Sequence, residues 1–201
     1  MLWLALVFCA SIVDSCRDGI DNVFTIDSYG DDLPVHVKNV VIRAYDIFYK
    51  PSCYEGKVNI KMPGYFHIMG GEVLVPQNYD LFHHTMVRAT VHVGEKHICD
   101  DGEGGMFFIP NKLCRFKMTT FVPPEICRVL QRKGTHTLEE LWREAGFNST
   151  QELPPAPSFL GVSLIDLLKG DYKIKVELRI HGEPIVRIAI PTDMQPMQWG
   201  L

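Results

Sequence analysis

The sequence predicts an all-β fold, an immunoglobulin-like antiparallel β-sandwich with one short helix in a long loop. The strongest indication is the stretch 172–190, in which apolar and charged residues alternate up to residue 180 and a second β-rich run follows a turn. A second strict alternation covers residues 86–93. Glycine and proline turns separate such runs and little helix lies between them, which favours two packed sheets over a doubly wound fold.

The first half of the chain contains further candidate strands, each ended by a turn signal. They cover residues 23–26, 35–48, 58–60 and a strand that begins at 72, and the breaks between them fall at 29–32, 50–52 and 62–64. These breaks contain Gly, Pro, Asp or Ser, which favour turns through their backbone preferences or local side-chain hydrogen bonds. The expected result is a series of short antiparallel strands.

One helix is predicted in the middle of the chain. Thr137 is a suitable N-cap, Glu140 follows three residues later as in a capping box, and Gly146 marks the end. Apolar residues between them form a stripe at helical spacing. The proline-rich segment 153–160 that follows predicts a long extended loop, and loops of this length inside a compact domain are usually functional.

Residues 1–15 are typical of a secretory signal peptide, because an apolar run at 2–8 precedes a small residue, Ser15. The run is too short to span a bilayer. The predicted organisation is a signal at 1–15, a sandwich domain at 16–192 and a loose C-terminal tail at 193–201. The expected location is the extracellular space or the endolysosomal lumen.

The charge balance argues against a nucleic-acid partner. The chain has 20 Lys and Arg against 24 Asp and Glu, a net charge of −4, and its basic residues are scattered. Proteins that bind polyanions concentrate positive charge on one surface. We therefore expect no nucleic acid among the partners.

Five cysteines remain once Cys9, inside the predicted signal, is set aside. An oxidising compartment favours disulfides, so five cysteines predict two disulfides and one leftover thiol. Spacing does not determine the pairing, and no Cys-x-x-Cys or Cys/His spacing predicts a zinc site. The candidates for pairing are Cys16, Cys53, Cys99, Cys114 and Cys127.

A glycosylation sequon follows the predicted helix. It consists of Asn148, Ser149 and Thr150, in a chain that is expected to be exported. The sequon predicts that Asn148 lies in a surface loop and carries a glycan.

No catalytic or metal-binding arrangement is evident in the sequence. There is no Gly-x-Ser-x-Gly elbow, since the segment 161–165 lacks the final glycine. The acidic glycine-rich run 100–105 lacks the ligand spacing of a calcium loop and is interpreted as a solvated hairpin turn. Four histidines are interpreted as surface residues rather than a metal cluster, namely His83, His84, His92 and His97. We expect a protein that is not an enzyme and uses no metal or cofactor.

The order of features between residues 97 and 127 resembles a known family. His97-Ile98-Cys99 is followed by an acidic residue and a glycine-rich turn, then by Cys114 in a mixed apolar run, then by Pro123-Pro124-Glu125-Ile126-Cys127. A proline-rich loop and the segment Gly170-Asp171-Tyr172, which leads into the closing hairpin, continue the pattern. In this order of features the chain is similar to the ganglioside GM2 activator branch of the MD-2-related lipid-recognition family.

Members of that family are β-sandwiches whose sheets splay apart around a lipid-sized apolar cavity. Any sandwich would bury the apolar faces of the two alternating strands in its core, but the resemblance implies that these faces line a cavity. The implied lining residues are Val87, Ala89, Val91, Val93, Ile174, Val176, Leu178 and Ile180. The family's first cysteine usually pairs with one in the final strand, and residues 182–188 contain none. Cys16 therefore needs another partner, for which Cys53 is one candidate.

Large apolar residues are in surplus between the predicted helix and the closing hairpin. They either plug the open end of the sandwich or lie exposed at the cavity entrance, where they would contact a membrane surface during lipid exchange. The candidates for this rim are Trp142, Phe147, Phe159, Leu160, Leu164 and Ile165. Trp142 has the further alternative of packing its helix against the core.

These features together predict a secreted protein that carries a membrane lipid or glycolipid in a sandwich cavity without catalysis. The resemblance implies transient contact with a membrane and a partner that receives the cargo, such as a glycolipid hydrolase. A fatty-acid-like or cuticular-hydrocarbon ligand of a chemosensory protein would fit the same cavity, because an aliphatic wall does not distinguish the methylene groups of different hydrocarbon chains. The alternative from another class is an extracellular interaction module with a solid core, which engages a receptor through edge strands or loops.

Overall fold

The computed structural model describes residues 16–120, 122–156, 158–159, 162–163 and 169–200, and the predicted signal at 1–15 lies outside them. The described chain is mostly β-structure, with short helices in its middle. The helices are α1 (Asn111–Cys114), α2 (Pro124–Leu130) and α3 (Leu138–Ala145), and a 3-10 turn covers Met118–Thr120. The strands are β1 (Val23–Ser28), β2 (His36–Asp46), β3 (Cys53–Tyr54), β4 (Lys57–Ile60), β5 (Gly64–Val75), β6 (Thr85–Val93), β7 (Lys96–Asp100), β8 (Glu103–Gly104), β9 (Arg115–Lys117), β10 (Gly134–Thr137), β11 (Thr150–Leu153), β12 (Ser158–Phe159), β13 (Val162–Ser163), β14 (Gly170–Ile180), β15 (Glu183–Ile190) and β16 (Met197–Trp199).

The strands form two antiparallel layers, which confirms the predicted all-β sandwich. The first layer has the order β1, β2 and β5, with β10 and β11 paired along the outer edge of β5. The second layer has β14 at its centre between β15 and β6, and β6 also pairs with β7 and β9. Strand β1 pairs with β2 through Val23–Ile26 and with β15 through Asp27 and Ser28, so the layers are joined into one curled sheet.

The two alternating stretches of the sequence are neighbours in the second layer. Val176 of β14 lies opposite Ala89 of β6 and Ile188 of β15, and the next inward residue, Leu178, lies opposite Val87 and Val186. Because side chains of a strand point alternately to its two faces, this register places the apolar residues of three strands on one surface. The second layer therefore presents a broad aliphatic wall to the first.

The predicted helix is present as α3. The Oγ1 atom of Thr137 accepts a hydrogen bond from the backbone N–H of Glu140 at 3.2 Å, and Gly146 ends the helix with a positive φ of 63°. Helices α1 and α2 were not predicted. Helix α2 begins at Pro124 after Pro123, in agreement with the preference of proline for the first helical turn, where its missing N–H has no intrahelical partner.

Strand β5 is longer than predicted, since it begins at Gly64 rather than at residue 72. The sequence interpretation placed a break at 62–64 and assigned no strand to residues 65–71. Instead, Gly71 has a φ of +137°, and a Cβ atom there would lie 2.5 Å from the Cγ2 atom of Val40. The glycine allows β2 and β5 to approach closely where their register shifts, so the strand continues through it.

The C-terminal segment 193–201 was predicted to be a loose tail, and the described part of it differs. Residues Met197–Trp199 form β16, which pairs antiparallel with the start of β14 and parallel with β4. Met197 is buried, and the ring of Trp199 lies 5.0 Å from that of Tyr172. Burial of these apolar side chains and the added ladder hydrogen bonds explain why the segment is ordered.

The space between the layers is packed at one end of β14 and open at the other. The packed end, which includes Tyr172 at the start of β14, is a cluster of buried side chains from β1, β2, β4, β7 and β16, among them Phe24, Ala44, Ile60, Ile98 and Met197. At the other end, where β14 ends at Ile180, a second cluster of buried side chains forms. Its members include Val35, Leu81, Val87, Met118, Cys127 and Val186. This second cluster surrounds the candidate site.

Candidate binding cavity

An apolar cavity of about 470 Å³ lies between the two layers at the second cluster. The second layer supplies one wall through residues of β6, β14 and β15. These are Val87, Val176, Leu178, Ile185, Val186, Ile188 and Ile190. On β14, Val176 and Leu178 point inward, because their neighbours Lys175, Glu177 and Arg179 are charged and take the other face of the strand.

The outward face of this wall is held by a charged group of three residues. The carboxylate of Glu177 accepts hydrogen bonds from the Nε atoms of Arg179 and Arg187, the latter at 2.7 Å. Partial burial acts to raise the pKa of Glu177, but the hydrogen bonds from Arg187 and Arg179 outweigh it and hold the pKa below its ordinary value. The ion pair of Glu177 with Arg187 links β14 to β15 and favours the register that turns Val176 and Leu178 inward.

The opposite wall comes from the first layer. Val37 of β2 and Val73 and Val75 of β5 line it, together with Val35 just before β2. Val37 and Val73 are direct partners in the β2–β5 ladder. Two sheets therefore face each other across the cavity, each with β-branched residues.

The remaining lining residues form a lip between the layers, made by the loop after β5, by β9, by the 3-10 turn and by α2. They are Tyr79, Leu81, Phe116, Met118, Val122 and Leu130. The loop is held to the end of α2, since the backbone N–H of Tyr79 donates to the carbonyl of Gln131 at 2.8 Å and the N–H of Lys133 donates to Oδ1 of Asn78 at 2.7 Å. Of the lining residues in the described chain, Tyr79 alone has a polar side-chain atom.

Several wall residues are only half-buried although they lie between the layers. They include Val37, Val73, Val176, Leu178 and Ile188. In a closely packed interior such side chains would contact others on all sides and lose their accessible surface. These residues pack against the second cluster and also line the cavity, and the cavity volume lies within the range of about 300–1,000 Å³ typical of ligand pockets.

The structure brings only some of the residues proposed for the cavity to it. Val87, Val176 and Leu178 line the space, whereas Ile180 and Ala89 are buried. Three others belong to the packed end, namely Val91, Val93 and Ile174. Periodicity predicted the correct strand face, but it does not determine where along a strand the two layers separate.

Most of the lining was missed by the sequence interpretation. The inward residues of β15 belong to the run recognised as the second strand of the closing hairpin, so their period-two pattern was a usable signal. The residues of the lip had no such signal, because they come from a loop and from short elements far apart in the chain. Only the folded chain brings Tyr79, Phe116 and Leu130 together.

Two of the proposed rim residues, Trp142 and Phe147, have side chains that the structure describes, and these two are not among the residues that line the cavity. Trp142 and Phe147 line a separate open groove, formed by α3 and β5. Phe159 belongs to the short strand β12, and its side chain is outside the described part of the structure. Leu160, Leu164 and Ile165 lie outside the described residues altogether.

The five cysteines within the described residues form two disulfides, Cys16–Cys53 and Cys99–Cys114, and leave Cys127 as a free thiol. The first joins the N-terminal segment to β3, and the second joins β7 to α1. Cys127 is fully buried in α2, and burial raises the pKa of its thiol. A buried neutral thiol is a poor nucleophile, so Cys127 acts as a small apolar residue behind the lip.

The described residues contain no group of three or more His, Cys, Asp or Glu side chains that could hold a metal ion. Four histidines form two ring pairs: the centroids of His92 and His97 lie 4.2 Å apart, and those of His84 and His181 lie 4.8 Å apart. Partial burial lowers the pKa of His92, and the charge of the neighbouring His97 lowers it further to a smaller extent. The run 100–105 forms the hairpin between β7 and β8.

Asn148 lies in a loop and its side chain is exposed.

Among helices of the described part of the chain, none has the length and apolar character needed to cross a membrane. In comparisons with known proteins, no protein-family model matches the chain, and no curated protein sequence matches it.

Proposed function

We propose that this chain is an exported, non-enzymatic carrier that holds the hydrocarbon part of a membrane lipid or glycolipid in the cavity between its layers. The observation that carries the proposal is an aliphatic space of about 470 Å³ inside a disulfide-linked sandwich. Such a space is costly to keep empty, since its lining lacks contacts on one side. A ligand that supplies those contacts removes the cost.

The chemistry of the wall favours a hydrocarbon ligand. Each methylene transferred from water to such a wall contributes about 0.8 kcal/mol, so a long tail supplies most of the affinity. Among the described lining residues, Tyr79 of the lip alone has a polar side-chain atom, and the two walls are apolar. A polar head group is therefore expected to stay at the lip, where it tunes selection rather than affinity.

The proposed cycle takes the lipid from a membrane surface and delivers it to another membrane or to a glycolipid hydrolase. The resemblance of residues 97–127 and 170–172 to the lipid-recognition family supports this part. Two disulfides support an oxidising compartment, either the extracellular space or the endolysosomal lumen.

Native purification of the exported protein from eukaryotic cells, followed by solvent extraction and mass spectrometry, tests the proposal. We expect lipid in near-stoichiometric amount, and displacement of a bound fluorescent fatty acid by that lipid. Folded protein that releases no lipid and binds no fluorescent lipid would contradict a carrier.

A receptor-binding module is the second candidate, and an exposed apolar turn favours it. The turn between β2 and β3 presents Ile47, Phe48 and Tyr49 with half or more of each side chain exposed. Contiguous exposed apolar residues of this kind often mark interaction sites. Loss of cell-surface binding in Phe48→Ser, with lipid content unchanged or absent, would favour this second function.

A further inference from the structure

A second apolar groove, separate from the lipid cavity, runs between α3 and β5. Its volume is about 530 Å³, and it is open to solvent. Trp142 of α3 and Met69 of β5 lie in it, exposed by 66% and 44%. A tryptophan side chain carries a large apolar surface, so leaving two thirds of it in water forgoes much of the free energy that burial would supply.

The exposure of Trp142 is not caused by a loosely held helix. Thr137 caps the N-terminus of α3, and Arg132 forms ion pairs with Glu140 and Glu144 from the segment before the helix. The imidazole of His136 lies 3.1 Å from a carboxylate oxygen of Glu140 on the same side. These contacts fix the orientation of the helix, and the orientation leaves the indole facing the groove.

The sequon Asn148-Ser149-Thr150 begins at the edge of this groove. Phe147 and Ser149, the neighbours of Asn148, both line it. The carbonyl of Ser149 accepts a hydrogen bond from the N–H of Ile68 in β5 at 2.8 Å, which holds the sequon against the sheet. Oδ1 of Asn148 accepts from the N–H of Thr150 at 2.9 Å, while the side chain remains exposed.

We propose that an N-linked glycan on Asn148 folds back over this groove and packs its first sugar rings on the indole of Trp142. A pyranose ring has an apolar face of C–H groups and a rim of hydroxyls. Such a face matches an exposed indole, while the hydroxyls remain in water. The groove thus has an occupant that belongs to the same chain and starts at its edge, so its association costs little entropy.

The inference rests on the export included in the proposed function and is independent of lipid binding. Secreted protein should carry a glycan at Asn148, shown by a mass decrease on treatment with peptide-N-glycosidase. Asn148→Gln should remove the glycan, whereas Thr150→Ser retains the sequon and serves as the matched control. Secreted protein without a glycan at this position would overturn the proposal, whatever its lipid content.

Oxidative footprinting with mass spectrometry then measures how far the glycan shields the indole of Trp142 from solvent. We expect the oxidation rate of Trp142 to be several-fold lower in the glycosylated protein than in Asn148→Gln, with Trp199 as the internal reference. The glycan should also raise the melting temperature, and Trp142→Ala should abolish most of that increase. Equal oxidation of Trp142 with and without the glycan would overturn the packing and leave the groove open to a protein or membrane partner.

Discussion

At the scale of single residues, the cavity depends on where a side chain lies along its strand. Val176 and Leu178 are adjacent inward positions of β14 and line the space, while Ile174, the preceding inward position, packs at the other end. All three are aliphatic and alternate with charged residues. Their different surroundings arise from the distance between the layers at each point.

Val176→Phe should fill part of the cavity and weaken lipid binding. Exclusion of two methylenes, each contributing about 0.8 kcal/mol, reduces the affinity about tenfold or more. Titration with a fluorescent fatty acid measures the change. Lys173→Phe adds the same ring to an exposed position of β14 and should bind as the wild type does. Unchanged affinity in a folded Val176→Phe variant would show that the tail binds elsewhere.

Glu177→Gln should lower the stability of the second layer at neutral pH. The pKa of Glu177 in the folded state lies below its ordinary value of 4.5, so its stabilising contribution is present above that value and is lost as the pH falls through the folded pKa. We expect the free energy of unfolding at pH 7 to fall by about 1 kcal/mol, with a smaller decrease below pH 4.5.

Urea unfolding between pH 7 and pH 3 measures this effect. Glu183→Gln, at the exposed first position of β15 in the same hairpin, is the matched control. A variant at 177 whose stability follows the wild type at all pH values would show that the two arginine contacts contribute nothing.

At the scale of elements, short helices organise the open end of the sandwich. Helix α2 supplies Val129 to the core and Leu130 to the lip, and its last turn holds the loop that contains Tyr79. Helix α3 buries none of its residues fully and is fixed by its cap and ion pairs. Its cap and ion pairs therefore hold α3 in position, whereas burial of apolar side chains holds α2.

Gly146→Ala should destabilise the end of α3. Gly146 has a φ of +63°, and an added Cβ atom would meet nothing within 4 Å, so the cost is backbone strain alone, about 1 kcal/mol. Gly146→Asn should cost less, because asparagine tolerates the left-handed conformation. Thermal unfolding followed by the fluorescence of Trp142 measures both. Equal stability of the alanine variant would mean that α3 ends differently in solution.

At the scale of the molecule, the packed end and the cavity end have different physical roles. The packed end buries residues of both layers and carries both disulfide regions, so it supplies stability. The cavity end forgoes some packing and leaves room for a ligand. Because the packed end supplies the stability, the fold tolerates the lost packing contacts of an empty cavity at the other end.

Removal of the disulfide Cys16–Cys53 should test the contribution of the N-terminal segment. It closes a loop of 37 residues, for which the chain-entropy argument gives about 4 kcal/mol. The double variant Cys16→Ser with Cys53→Ser should lose most of this in urea unfolding. Cys127→Ala retains both disulfides and should lose much less. An unchanged stability of the double variant would show that the crosslink does not constrain the unfolded chain as assumed.

The strand faces, the capped helix α3 and the number of disulfides could be predicted before the structure was known, because these depend on local periodicity, on residues three or four apart and on a count of cysteines. The sequence did not determine which part of each face lines the cavity, nor that Tyr79, Phe116 and Leu130 meet at the lip. It also did not place Trp142 in a separate groove or residues 197–199 in a strand. Those features depend on the distance between the layers and on contacts between segments remote in the chain, which exist only once the chain has folded.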